Sequence, residues 1–440
     1  MGYKSFDAII IGGGSTGLWT TLDLTLRGFS VLLVERNTIG SGTSGKLHGL
    51  LHSGARYAVT DPNSAKECIQ ENIILTKIAP HAIEDTGGYF VSITKEDEEF
   101  KDSFLSGLKN TGIPFQEIKP SEAIKEEPEL GREVKSVIYV PDKVVYATDL
   151  LTSIEYTAFA NGALILEHAE VVKIEESRNE GLMVKIHDKI SNKDYIFSAK
   201  VIVNAAGPWA GHVARSAGIN VEVLPTAGTM TVVARRLTRR VINRLRPPSD
   251  GDILVPYSNV SIMGTTAFIV EDPDNVTVPE GDPIFLIEEG SKMVPKLKET
   301  PIIRSYLSVR PLIKIQTKEG RIERMASRDF QVVVHEKPKN MVTVIGGKFT
   351  TGRLMGEKVG DIVTEILGGK KGSKTASTSL ANPLDLHNEI MRGEYIDALI
   401  KERYNYSIYN GIDDDRGKII LYFLLQTNIY KASRTRLGIS

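Results

Sequence analysis

A strand, a glycine-rich turn, a helix and a second strand fill residues 6–35, and that order constrains the fold more than anything after it. Phe6 to Ile11 is a short apolar run of β-branched character. Gly12-Gly13-Gly14-Ser15-Thr16-Gly17 follows without a spacer, and Leu18, Leu22 and Leu26 then share one helical face. Gly28 stops that helix, and Val31 to Val34 reads as a buried strand ending at Glu35. Gly12, Gly14 and Gly17 have the spacing of a dinucleotide fingerprint. The first permits a tight turn, the second lets backbone approach a pyrophosphate, and the third allows strand and helix to pack closely. Ser15 and Thr16 open the helix, whose free N–H groups and partial positive charge suit phosphate. Glu35 sits where a carboxylate accepts hydrogen bonds from a ribose diol. The competing reading is a plain glycine turn with Glu35 solvated; the strand–turn–helix context favours nucleotide binding.

Two later strand ends repeat the theme. Val201-Ile202-Val203 runs into Asn204-Ala205-Ala206-Gly207, and Met341 to Ile345 meets Gly346-Gly347 before a helix from about Thr350. Ligands collect at the carboxyl ends of strands in doubly wound sheets. The expected fold is therefore α/β with an α+β part: a discontinuous Rossmann-like domain from residues 1–80, 146–215 and 328–370. A sheet-rich substrate domain takes 81–145 and 216–327, and 371–440 forms a short helical C-terminal extension. Between the glycine segments, 100–111, 148–160 and 287–299 read as helices; 136–140, 164–175 and 182–187 read as strands.

The cofactor follows from the three segments together. Arg36 is followed by Gly40-Ser41-Gly42-Thr43-Ser44-Gly45, small residues that can wrap a long cofactor. Ala206 and Gly207 would lie beneath an adenosine. Gly346, Gly347, Lys348, Phe349 and Thr350 would aim helical N–H groups at a flavin pyrimidine edge, where a positive dipole stabilises the anionic reduced ring. Their convergence favours FAD over a nicotinamide.

Composition removes other classes. Lys plus Arg is 54 against 55 for Asp plus Glu, so the net charge of −1 leaves no footprint for nucleic acid. One cysteine, Cys68, excludes an internal disulfide, a Cys-rich zinc site and a Cys-ligated iron–sulfur cluster, and fits a reducing cytoplasm. The histidines lack metal-ligand spacing, and no metal is expected. No apolar run approaches the ~20 residues of a bilayer span, and Met1 to Asp7 does not open a signal peptide.

Several longer stretches are similar to one family. Leu47-His48-Gly49-Leu50-Leu51-His52-Ser53-Gly54-Ala55-Arg56-Tyr57, Lys66 to Asn72, Pro248 to Pro256, Ser308-Val309-Arg310-Pro311-Leu312 and Gly346 to Thr351 resemble the catalytic A subunits of anaerobic-type, FAD-dependent glycerol-3-phosphate dehydrogenases. These belong to the D-amino-acid-oxidase-like flavoproteins. The matches run in order from residue 7 to about 365. The resemblance implies oxidation of sn-glycerol 3-phosphate to dihydroxyacetone phosphate, with hydride passing from C2 to flavin N5. It puts Arg310 and Lys348 near the flavin face and gives Arg56, Tyr57 and Arg328 to the substrate. The residue types agree, because a phosphate dianion needs cationic donors and Arg offers a planar fork. His52 is the preferred general base, since imidazole titrates near neutrality; Lys348 is the second choice, and His48 a hydrogen-bond partner. Arg235-Arg236 and Arg239-Arg240 read as a solvated face.

The chain departs from the family in two places. Longer members carry a Cys-rich C-terminal region that is missing here, and Gly352 stands where relatives often have an aromatic. The first difference bears on where electrons leave. The resemblance implies a quinone acceptor, with a membrane-anchoring or electron-accepting subunit beside a peripheral protein on the inner face of the cell membrane. Ile419 to Leu425, flanked by Lys418, Lys431, Arg434 and Arg436, is either such a docking element or a terminal helix packed on its own domain or a homodimer partner. Rival readings are an oxygen-using oxidase of glycerol phosphate, amino acids or hydroxy acids on the same fold, and a non-catalytic flavin-binding subunit.

Overall fold

A computed structural model describes residues 4–177, 181–313, 330–382, 426 and 429–439. Two large sheets dominate it. In the first, Lys4–Ile11 is central, parallel to Val31–Val34 on one side and to Lys193–Asn204 on the other. Leu164–Leu166 extends the sheet beyond Val31–Val34, and Met341–Gly346 adds in parallel beside Ile202–Asn204. Ala169–Ser177 and Gly181–Asp188 form an antiparallel flap beyond Lys193–Asn204, and Phe330–Val334 returns antiparallel to Met341–Gly346. The parallel centre is buried on both faces. Ala8 and Ile10 join one core with the helices, while Ile9 and Ile11 join another on the opposite face.

The helix Ser15–Arg27 is buried almost all round rather than on one face, because Ala147–Ala160 and Gly352–Ile366 pack beside it. Its buried hydroxyls are satisfied internally: Thr20, Thr21 and Thr25 each donate to the carbonyl four residues back at 2.7–2.8 Å. Gly28 closes it with φ +94°.

The second sheet is built from strands between Gly88 and Leu312; near one end of it Leu224–Val233 pairs with Ile302–Leu312 along its whole length. Residues 164–175 are two strands, not one, with the break at His168 in the left-handed region at φ +53°. The helix read over 287–299 instead runs Asp282–Ser291, with Pro283 in its first turn. A separate 3-10 turn, Pro295–Glu299, follows. Pro295 has no N–H to carry the helix on, and in the gap Gly131 N donates to Met293 O at 2.7 Å.

Most of the 371–440 extension, including Ile419 to Leu425, lies outside the described residues. Residues 429–437 are helical and packed onto the first sheet. Ile429, Leu437 and Ile439 enter its two cores, Ser433 Oγ accepts from Ile165 N at 3.1 Å, and Arg434 Nη1 meets buried Asp188 at 2.7 Å. Among the described residues no helix is long and apolar enough to cross a membrane.

Candidate active site

A cavity of about 650 Å³ is lined by residues of both sheets. It brings together Gly12, Gly14, Ser15, Thr16, Glu35, Arg36, Thr43, Ser44, Ala206, Gly207, Gly346, Gly347, Lys348, Phe349 and Thr350 with His52, Arg56, Tyr57 and Arg310. Gly17 stands just behind the lining, and Arg328 lies outside the described residues.

One end is suited to an anion. The helix Ser15–Arg27 begins there with Gly14 as its N-cap, no side-chain cap and no acid in the first turn. Ser15 N donates to Ser44 Oγ at 2.9 Å, while the buried Ser15 Oγ has no hydrogen-bond partner among the described residues. Gly12 holds φ +111°, and a Cβ on it would come within 2.6 Å of Ala205 O; a Cβ on Gly17 would collide with the Gly12 carbonyl. The turn therefore leaves backbone donors facing a space no side chain fills, which fits a dinucleotide pyrophosphate. Glu35 is held by Gly13 N at 2.6 Å and Asn37 N at 2.7 Å, one bond to each carboxylate oxygen. Each oxygen keeps capacity for a further donor. Gly346 and Gly347, at φ +87° and +84°, turn the chain into Gly352–Ile366, whose acid-free N-terminus comes to the same cavity.

The other end is cationic and aromatic. Lys348 Nζ donates to Ser64 Oγ at 2.8 Å and lies 4.9 Å from the Tyr57 ring centre. The His52 ring is 5.3 Å from Tyr57 and 5.9 Å from His48, and His52 N donates to Thr350 Oγ1 at 3.2 Å. His48 Nδ1 accepts from Leu50 N at 3.0 Å. The Arg310 guanidinium rests on the carbonyls of Thr226, Ala227 and Thr266 at 3.1–3.4 Å, in space left by Gly228. Arg56 Nη2 is bound by Ser249 O at 3.1 Å and Asp252 Oδ2 at 2.9 Å. Its Nη1 is buried without a partner among the described residues.

Sequence reasoning missed the groups that hold these side chains. Fully buried Asp252 takes Arg56 and also Arg246, at 2.9 and 2.7 Å. Burial pushes the Asp142 carboxyl up, against bonds from Ser53 and Asn243 that hold it down. Asp252 lies within the Pro248–Pro256 stretch and Asn243 shortly before it, which is the one signal that pointed toward them. Cys68 is buried, which pushes its thiol up to about 12, so it is a neutral packing group rather than a nucleophile. In the Arg235–Arg240 cluster, Arg235 and Arg239 are exposed, as a solvated face requires, but the other two arginines are paired. Arg236 grips Glu84 at 2.6 Å, and Arg240 pairs with Glu126 while lying over Tyr89 and Tyr139.

Residues 7–362 match the family model described as FAD dependent oxidoreductase. The chain is 38% identical to the subunit designated A of the anaerobic glycerol-3-phosphate dehydrogenase of Escherichia coli K12, over 86% of this chain and 70% of that protein. It is also 38% identical to the subunit designated A1 of the corresponding Haloferax volcanii enzyme, over 87% of this chain and 67% of that protein. Among solved structures it is similar to the glycerol-3-phosphate dehydrogenase from Bacillus halodurans complexed with FAD, with a TM-score of 0.66 at 22% identity, covering 99% of this chain and 80% of that one. Glycine oxidase from Geobacillus kaustophilus superposes with a TM-score of 0.69 at 22% identity, over 86% and 99% of the two chains, and shares the fold. With a glycine-rich site that fits FAD, the chain belongs to the FAD-dependent oxidoreductases and, among them, to the family of anaerobic glycerol-3-phosphate dehydrogenase A subunits.

Proposed function

We propose that this protein oxidises sn-glycerol 3-phosphate to dihydroxyacetone phosphate and passes the electrons to a quinone, through or beside a membrane-anchoring partner on the inner face of the cell membrane. Bound FAD supplies the two-electron acceptor, taking hydride from C2 of the substrate. In this reading residues 1–80, 146–215 and 328–370 hold the cofactor, and 81–145 with 216–327 cover the substrate. The observation that carries the reading is the gathering of Arg56, Arg310 and Lys348 around His52 and Tyr57 in one cavity with the glycine turns. Arg56, which lines the cavity, binds the phosphate, while Asp252 keeps the guanidinium from swinging. Lys348 and Arg310 orient the C2 hydroxyl and stabilise negative charge on its oxygen as the C–H bond breaks. His52 accepts the hydroxyl proton. The names of the relatives, which are glycerol-3-phosphate dehydrogenases, support the substrate, and their being lettered components of a larger enzyme supports a partner.

Anaerobic mixing of the purified yellow protein with polyols, their phosphates and amino acids tests the substrate. Glycerol 3-phosphate should bleach the flavin; bleaching by an amino or hydroxy acid alone would refute the assignment. Co-sedimentation with native membranes and reduction of quinone analogues test the acceptor. Rapid reoxidation by oxygen without either would make the protein an oxidase.

A further inference from the structure

The fingerprint accounts for the cofactor contacts made by the first sheet, but the second sheet also reaches the adenosine end of the cavity. Phe268–Ile269 pairs with Thr226 and Ala227, and Val270 N donates to Pro225 O at 3.0 Å, which fixes the base of a short excursion. Its tip is shaped by an Asx turn in which Asp274 N donates to Asp272 Oδ1 at 3.0 Å. From there Asp274 crosses to the first sheet. Its Oδ2 and Oδ1 take Arg36 Nη1 and Nη2 at 3.0 and 2.7 Å, a two-pronged pair. Arg36 directly follows Glu35, and its guanidinium is 5.1 Å from the centre of the Trp209 ring. Phe268, Ile269, Pro273, Asp274 and Val276 line the same cavity as Glu35 and Arg36.

We propose that residues 268–276 are a cofactor-retaining strap contributed by the second sheet, with Asp274 as a positioning residue that acts through Arg36. The ribose end of the dinucleotide is fixed by Glu35, so a segment tied to the next residue across the same cavity closes over the adenosine half. FAD then enters and leaves by opening one ion pair, at the end of the cavity away from His52 and Lys348. The pair is well placed for such a gate. Its side chains are 30% and 45% exposed, so water and salt reach it, yet both prongs and the indole fix its geometry. A buried pair would not open readily, and a single-pronged surface pair would hold nothing. The proposal rests on FAD as the cofactor and is independent of the identity of the substrate.

The test is the rate of FAD release from holoenzyme, followed by the rise of free-flavin fluorescence after large dilution into flavin-free buffer. For the wild type, release should quicken several-fold between about 0.02 and about 0.5 M NaCl, as screening weakens an exposed pair. Asp274→Asn should release FAD about three- to tenfold faster at low salt and lose most of the salt dependence. Asp274→Arg and Arg36→Asp should each release faster still, and the double reversal should recover at least half of the difference. A purely structural role for Asp274 would not give recovery by reversal. Release by Asp274→Asn at the wild-type rate, with the same salt dependence, overturns the strap. Wild-type protein that retains no FAD at all would instead overturn the cofactor assignment. If Asp274→Asn is poorly folded by thermal unfolding of the apoprotein, the wild-type salt series and the charge-reversed double variant decide the matter.

Discussion

Arg353 and Glu71 meet end to end in the interior, with Nε donating to Oε2 at 2.8 Å and Nη2 to Oε1 at 2.5 Å. Both side chains are almost fully buried, and Arg353 Nη1 also bonds Thr375 Oγ1 at 3.0 Å and Glu357. The pair ties Gly352–Ile366, which follows the Gly346-Gly347 turn, to Pro62–Ile78, which supplies Ser64 to Lys348. Removing one partner strands a buried charge, so Arg353→Ala should lower stability by roughly 3–5 kcal/mol. Glu71→Gln keeps the shape and should lose less. Urea unfolding measures both, and a loss below about 1 kcal/mol for Arg353→Ala would show that the pair is not holding the two helices.

Gly17 offers a test of the cofactor turn. An alanine there would drive its methyl into the Gly12 carbonyl, a backbone atom fixed by the central strand. Overpacking of this kind costs about 1–3 kcal/mol and pushes apart the strand and helix that frame the pyrophosphate. Gly17→Ala should purify with much less than one FAD per chain and a lower unfolding midpoint. A stoichiometric, equally stable yellow protein contradicts the geometry.

Arg310→Ala and Lys348→Ala should keep FAD but reduce it slowly. Each loses a charged hydrogen bond worth roughly 1.5–3 kcal/mol, a tenfold to hundredfold drop in kcat/KM for flavin reduction by glycerol 3-phosphate. Stopped-flow absorbance under nitrogen reads this directly. Wild-type values in both variants would remove them from the substrate site.

His52→Asn separates proton transfer from binding. Single-turnover flavin reduction should slow at least tenfold with little change in the substrate concentration for half-saturation, and the near-neutral inflection of its pH profile should disappear. An unaltered reductive rate assigns the base to another group, with Lys348 next in line.

The C-terminal helix should come loose in acid. Asp188 is held down to about 2, because Arg434 and Ser191 bond its carboxylate more strongly than burial disfavours it. A lowered carboxylate value stabilises the fold above its unfolded value of ~3.9 and ceases to do so as pH falls toward about 2. The difference in melting temperature between wild type and Arg434→Ala should thus be full at pH 6 and vanish near pH 2. A constant difference across that range would exclude the pair as the anchor. Because Leu437 and Ile439 sit in the core, truncation after Gly411 is expected to destabilise the first sheet as well as remove the tail.

The parts of this molecule that could be read from sequence are those with a local signature. Gly12, Gly14 and Gly17 need their neighbours within a few residues, so the cofactor turn is written in six positions. The same holds for Gly346-Gly347, whose left-handed backbone only glycine adopts freely. What escaped is long-range. Arg56 finds Asp252 across 196 residues of chain, and Arg36 finds Asp274 across 238. Nothing near Asp274 announces a partner, because a carboxylate in a Pro-containing turn usually meets only water. The displaced helix at Asp282–Ser291 has the same origin only in part. Gly290 and Pro295 are stop signals within the segment, and the Gly131 N–H, from far along the chain, also claims the Met293 carbonyl.

Interleaving the two sheets has a consequence for synthesis. Strand Lys4–Ile11 waits for Lys193–Asn204, and that strand waits for Met341–Gly346. At ~5–20 residues per second, the ribosome takes roughly 20–70 s to deliver the last of these after the first. Until Met341–Gly346 emerges, Lys193–Asn204 lacks one parallel neighbour and the cofactor site lacks its third glycine turn. Flavin therefore finds no complete site on the nascent chain until its third glycine turn has emerged.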